Sequence, residues 1–320
     1  LGFTTVDGVG QEGLESAYNA YLAGEDGRAI VETDRKGNAL AYGVEEYIPA
    51  LDGYDLVLTT DSIVQSFLVS ALTEAQQINS AISAQGIVLN AKTGEILAVA
   101  TAPGYDPNSP SRDDLDLLRS LARNRVATDA YEPGSTFKVL TLASALDSGA
   151  INTNFGIHCP GYHMVNGEKI RCWRSGGHGS QNLQQVVNNS CNPAFMQMAI
   201  NMGVETFYDY LYAFGLGRST ASGLPGESGG ILTHEKYVRL NNLARIGFGQ
   251  SVAVTPLQLA VAVAAVVNGG KLMQPYVIDK VVAAGGEIIE DNEPTVIRQV
   301  ISEETSAMVR QLLEGAVNEG

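Results

Sequence analysis

Ser135 and Lys138 stand three residues apart in the run Glu132-Pro133-Gly134-Ser135-Thr136-Phe137-Lys138. Residues three apart share a helix face, so a serine in the first turn would carry the lysine amine beside its hydroxyl. The amine can take the hydroxyl proton only when neutral. Its reference pKa is about 10.4, so burial or nearby charge must lower it. A helix start adds a positive field and backbone N–H groups suited to an oxyanion. The chemistry these parts define is nucleophilic acyl transfer. The plainer reading is a serine cap and a solvated lysine. Against it, of the seven lysines only Lys138 has a serine three residues before it. Ser190-Cys191-Asn192, directly before Pro193, is the second constellation. Its hydroxyl can relay a proton and its amide can hold a substrate amide. Its plainer reading is an Asn-Pro helix start.

All three cysteines and three of the four histidines fall between positions 158 and 191. Cys159, His163, Cys172 and His178 are compatible with a tetrahedral structural Zn2+ site. A Cys159–Cys172 disulfide and simple reduced thiols are the two other states this stretch allows. Cys191 is set aside as a ligand because it lies inside the Ser190–Asn192 constellation. Other patterns carry less. Pro133 stands two before Ser135, against a Gly-x-Ser-x-Gly elbow. His234-Glu235 lacks the second histidine of a zinc protease. Gly247-x-Gly249 has no third glycine in register and reads as a tight loop bordering the cleft, not a phosphate cradle.

These residues need elements to position them. The chain has 320 residues, with Lys+Arg 20 against Asp+Glu 35 and a net charge of −15. That balance excludes a phosphate-binding, nucleic-acid-binding class. The longest apolar run, Leu259 to Val267, is too short to span a membrane. Ala29–Val31 and Ala39–Tyr42 read as a hairpin, and Leu14, Tyr18, Tyr21 and Leu22 as one helical face. From Asp55 a main domain is expected: a strand at Leu56–Leu58, then an Asp61-capped helix holding Ile63, Val64, Phe67, Leu68, Ala71, Leu72, Ala75 and Ile78 on a 3.6 period. A hairpin turns at Lys92-Thr93-Gly94. The Ser135 helix follows a polar loop, and a loop-rich stretch runs from Ile151 to Gly179. Helices are expected at 182–188, 193–202, 205–214, 256–267 and 302–317, with a last hairpin around Gly285-Gly286. Hairpins separated by helical blocks favour an α+β fold.

Tyr131–Lys138 resembles the nucleophile motif of penicillin-binding proteins, and Ser190-Cys191-Asn192 their second motif. Gly10–Gly27, Leu56–Gln65, Gly86–Asn108, Arg123–Arg125, Gly176–Asn192 and Gly247–Leu259 also resemble the class B, monofunctional branch. The resemblance implies an α+β transpeptidase domain at 55–320, preceded at 1–54 by the end of a pedestal domain. It implies Ser135 as acylated nucleophile, Lys138 as base, and Ser190 and Asn192 as second-motif residues. The implied activity cross-links peptidoglycan stem peptides ending in D-Ala-D-Ala, with β-lactams acylating the same serine. The implied setting is the extracytoplasmic face of a bacterial membrane, behind an N-terminal anchor and beside a membrane glycosyltransferase. The family's third motif, a Lys-Thr-Gly on a core strand, follows the second; Lys92-Thr93-Gly94 precedes Ser135 and is read as a turn, leaving the third motif beyond Gly320. A penicillin-hydrolysing or carboxypeptidase relative, and a β-lactam sensor or division scaffold without turnover, are the competing readings.

Overall fold

The computed structural model describes residues 1–36, 40 and 45–319. Two compact units divide the chain. The first comprises Leu1–Thr59, Gly104–Arg123 and Ile278–Glu293. It holds two short helices, Gly13–Ala17 and Asn19–Leu22, which Tyr18 interrupts at φ −111 and ψ 20. The expected single face through Leu14 and Leu22 is therefore broken. Arg28–Val31 pairs antiparallel with Glu45–Ile48. The arm expected at 39–42 lies outside the described residues except for Leu40. Ile278–Val282 sits between Ile288–Asp291 and Asp55–Leu58 in an antiparallel three-stranded sheet. The first unit therefore runs a few residues past the expected 54/55 boundary and takes in later segments of the chain. The Asp55 strand bonds to a hairpin more than two hundred residues later, so both belong to the first unit. Leu115–Ala122, capped by Asp114 accepting from Leu117 N, is a helix where a polar loop was expected.

The second unit comprises Thr60–Pro103, Asn124–Val277 and Pro294–Gly320. Its hairpin, Ala84–Leu89 with Ile96–Ala102, is crossed by the helix Ser62–Ile78. Asp61 caps that helix, accepting from the amides of Ile63 and Val64. Val64, Leu68 and Leu72 are half-buried, whereas Ile63, Phe67 and Ile78 face outward. Thr93 bonds Glu95 in the hairpin turn, and Lys92 is exposed there. Behind the hairpin lie the helices Lys138–Asp147, Asn192–Ala213, Leu240–Ile246, Pro256–Val267 and Glu303–Glu319. Phe137, Leu140, Leu142, Met196, Met198, Phe207, Leu211 and Leu243 are fully enclosed between them. The Asn192 helix is two rods: Gly203, at φ 75 and ψ 175, breaks it where the sequence expected separate helices. Pro256–Val267 starts on a capping box in which Thr255 accepts from Gln258 N and Gln258 accepts from Thr255 N.

The loop-rich stretch contains two antiparallel ribbons that were not foreseen. Gly156–Cys159 pairs with Gly179–Asn182, and Tyr162–Val165 with Glu168–Arg171. The second ribbon is fastened to the Leu240–Ile246 helix through Glu168, which accepts from Asn241 and Arg245.

Candidate active site

Pro133 cannot donate a backbone hydrogen bond, and Gly134 follows it at φ 56. This turn opens a 3-10 segment, Gly134–Phe137, that runs into the α-helix Lys138–Asp147. Thr136 Oγ1 donates to the Pro133 carbonyl at 2.8 Å, tightening the entry. Gly134 N donates to Gly249 O at 2.9 Å, and Ser251 N donates to Glu132 at 2.8 Å. Tyr131 and Val254 exchange both backbone hydrogen bonds. The nucleophile turn is thus laced to the segment Gly249–Val254. Ser135 remains exposed at its tip, while Phe137 and Lys138 point inward.

Ser190 reaches the same place from the other side. Helix Leu183–Asn188 starts on a capping box between Asn182 and Gln185. It closes through Ser190 N to Val187 O and Cys191 N to Val186 O. Ser190 itself adopts φ 46, a left-handed conformation uncommon outside glycine and typical of sites held by their surroundings. Asn192 then begins the next helix, with Pro193 in its first turn.

Lys138 Nζ stands at the centre. It lies 3.2 Å from Ser135 Oγ and 2.9 Å from Ser190 Oγ, and it donates to Ser190 O at 2.8 Å and Asn192 Oδ1 at 2.6 Å. The residue is only 4% exposed, and the Phe195 ring lies 5.3 Å from the amine. Burial lowers the ammonium's pKa from 10.5 to about 8. The four expected catalytic residues therefore share one cluster. They open on a cleft of about 310 Å3 lined by Gly134, Ser135, Trp173, Ser190, Asn192, Phe248 and Gln250. None of Lys92, Thr93 or Gly94 lines it. Trp173 and Gln250 were missed in the sequence; the chain's lone tryptophan, beside Cys172, was the available signal.

The metal expectation needs a correction. The side chains that converge are Cys159, Cys172, His178 and Cys191, with ligand atoms all within 4.8 Å of one another. His163 is not among them. It pairs with Ile170 in its ribbon, where alternation puts it on the same face as buried Val165 and Ile170. Cys191 takes its place, because the chain folds the second motif back over the ribbons: the turn that presents Ser190 and Asn192 outward turns Cys191 inward, fully buried. All three cysteines are free thiols. His178 Nδ1 is 3.7 Å from Cys172 Sγ. Tetrahedral zinc, with bonds of about 2.3 Å to sulfur and about 2.0 Å to nitrogen, puts such ligand atoms nearly that far apart. Burial works against the Cys159 thiolate, yet amides of Gly161 and His178 and the neighbouring thiols outweigh it and lower its pKa. Burial dominates at Cys191, whose thiol is pushed up to about 12. His178 Nε2 is buried without a partner. Three soft sulfurs and the one imidazole of His178, whose ring keeps a nitrogen without a hydrogen-bond partner, fit a tetrahedral zinc ion.

Residues 85–320 match the penicillin binding protein transpeptidase domain, and residues 2–58 the penicillin-binding protein dimerisation domain. The chain is 39% identical over its whole length to stage V sporulation protein D of Bacillus subtilis, covering 49% of it. It is 32% identical over 88% of its length to the peptidoglycan D,D-transpeptidase FtsI of Escherichia coli, covering 46% of that protein. The crystal structure of penicillin binding protein 3 from Mycobacterium tuberculosis complexed with aztreonam superposes with a TM-score of 0.85 at 28% identity, covering 99% of this chain and 66% of that one. The chain belongs to the class B penicillin-binding proteins. It spans about half the length of these curated relatives.

Proposed function

We propose that the chain is the acyl-transfer part of a serine-type peptidoglycan D,D-transpeptidase. The observation that carries this is a buried lysine amine within hydrogen-bonding distance of Ser135 Oγ, Ser190 Oγ and Asn192 Oδ1 together. Neutral Lys138 takes the Ser135 proton as Oγ attacks the penultimate D-Ala carbonyl of a stem peptide. The tetrahedral oxyanion forms at the helix start, where the Ser135 N–H is suited to receive it. Ser190, bonded to the same amine, passes a proton to the departing D-Ala nitrogen, and Asn192 orients the peptide amide. The amine of a neighbouring stem resolves the acyl-enzyme and restores the hydroxyl. A β-lactam enters by the same attack, but its leaving nitrogen stays tethered. Membrane anchoring at the extracytoplasmic face and pairing with a membrane glycosyltransferase are part of the same reading, supported by family membership.

Fluorescent-penicillin labelling tests the assignment. Ser135→Ala should abolish labelling while leaving the thermal midpoint within a few degrees, since an exposed cleft serine contributes about 0.5 kcal/mol or less. Labelling of the variant at the wild-type rate would reject Ser135 as nucleophile.

For the cofactor we propose one structural zinc held by Cys159, Cys172, His178 and Cys191. Zinc supplies no step of acyl transfer; it would neutralise buried thiolates and cross-link the ribbons to the second motif. Elemental analysis of protein purified without added metal should give about one zinc per chain, kept in His163→Ala and lost in Cys191→Ser. Less than about a tenth of an equivalent, together with a disulfide in a non-reducing peptide map, would reject it.

A further inference from the structure

We propose that Gln181 is a positioning residue of the acylation cleft, holding the Trp173 wall and the Ser190–Asn192 turn in register through Asn189. The inference rests on the reading of that cleft as the acylation site. Gln181 is the inward residue of the strand Gly179–Asn182, opposite Ile157, and only 6% exposed. An inward strand position is ordinarily apolar, and a buried carboxamide is costly unless both its ends find partners.

The oxygen end of this amide is tied to the cleft's supports. Oε1 accepts from Asn189 Nδ2 at 2.9 Å. The Asn189 carbonyl in turn accepts from Trp173 Nε1 at 3.0 Å. Asn189 directly precedes Ser190 in the chain, and Ser190 lines the cleft with Trp173 and Asn192. Through Asn189, one side chain on a strand therefore braces two walls of the cleft from behind. Trp173 is 63% exposed, with its ring edge on His178 at 5.3 Å between centroids, so the hydrogen bond to Asn189 is a main constraint on where the indole stands.

Trp173 is the chain's only tryptophan, so its emission reports this wall without labelling. Gln181→Met keeps the volume but cannot donate, and offers Asn189 only a weak thioether acceptor in place of the amide oxygen. In the 320-residue chain it should red-shift the emission and raise acrylamide quenching. It should also lower the acylation rate constant with a fluorescent penicillin at least tenfold, with the affinity before bond formation unchanged. Asn189→Ala cuts the same series of links and should move the emission the same way. The double variant should shift no further than the larger single one. Phe207→Leu, a core change in the outer rod of the Asn192 helix, should lower the melting temperature and leave the emission in place. Wild-type emission and acylation within twofold in folded Gln181→Met would overturn the proposal. If that variant does not fold, unchanged emission in Asn189→Ala overturns it instead. If the wild-type chain takes up no penicillin, the transpeptidase reading falls, while the emission comparison still decides the role of Gln181.

Discussion

Lys138 has to be basic enough to take a proton and yet uncharged often enough to do so. Burial strikes that balance, bringing its pKa from 10.5 to about 8. The shift corresponds to about 3 kcal/mol against the ammonium form. Because the folded value lies below the unfolded one, this penalty is fully present below about pH 8 and fades as the pH rises to 10.5. Acylation should follow the neutral amine, rising about tenfold per pH unit below the pKa and levelling above it. Lys138→Met should lower the rate by about 10²–10⁴ and remove that limb of the profile. A pH series of penicillin acylation rates checks both outcomes. A profile in Lys138→Met that keeps the wild-type limb would assign the titration to another group.

At the scale of elements, the nucleophile turn depends on a neighbour distant in sequence. Gly249 lies at φ 80, and a Cβ there would sit 2.0 Å from the Gly134 carbonyl oxygen. Gly249→Ala must either push that backbone away or twist out of the left-handed region. We expect a loss of about 2 kcal/mol or more, seen as a melting temperature several degrees lower, and acylation at least tenfold slower. Calorimetry and penicillin labelling read the two effects separately. Local signals were legible in the sequence where the physics is local. Asp61 and Thr255 cap helices as their side chains and the following residues suggest, and Ser135 with Lys138 needs only one helical turn to meet. The Gly247-x-Gly249 segment was legible as a tight loop bordering the cleft, which Phe248 and Gln250 do line, but the place of Cys191 was not, because it is set by a chain crossing that spacing does not encode. His163 looked suitable by spacing to Cys159, yet strand alternation turns it to the face of Ile170. Leu115–Ala122 was hidden by the Asp- and Pro-rich run before it, whose Asp114 proves to be its cap.

For the molecule as a whole, the outer stripe of the Ser62–Ile78 helix is the feature least suited to water. Ile63 and Phe67, one turn apart, are 66% and 72% exposed, Ile78, three turns on along the same face, is 74% exposed, and Ile82 is exposed just beyond. Runs of exposed apolar side chains mark contact surfaces. The 320-residue chain by itself should therefore self-associate at high concentration despite its net charge of −15. Phe67→Glu should return it to monomer in sedimentation velocity without changing penicillin labelling, and equal association in both forms would exclude this stripe as the contact. The break at Gly203 acts on a different property, the transmission of motion. A continuous rod carries fraying at one end toward the other through its ladder of backbone bonds, whereas a joint lets each half breathe alone. Hydrogen exchange should therefore show the half beyond Gly203 opening independently of the half that presents Asn192, which keeps fluctuations at the far end away from the residue that accepts from Lys138.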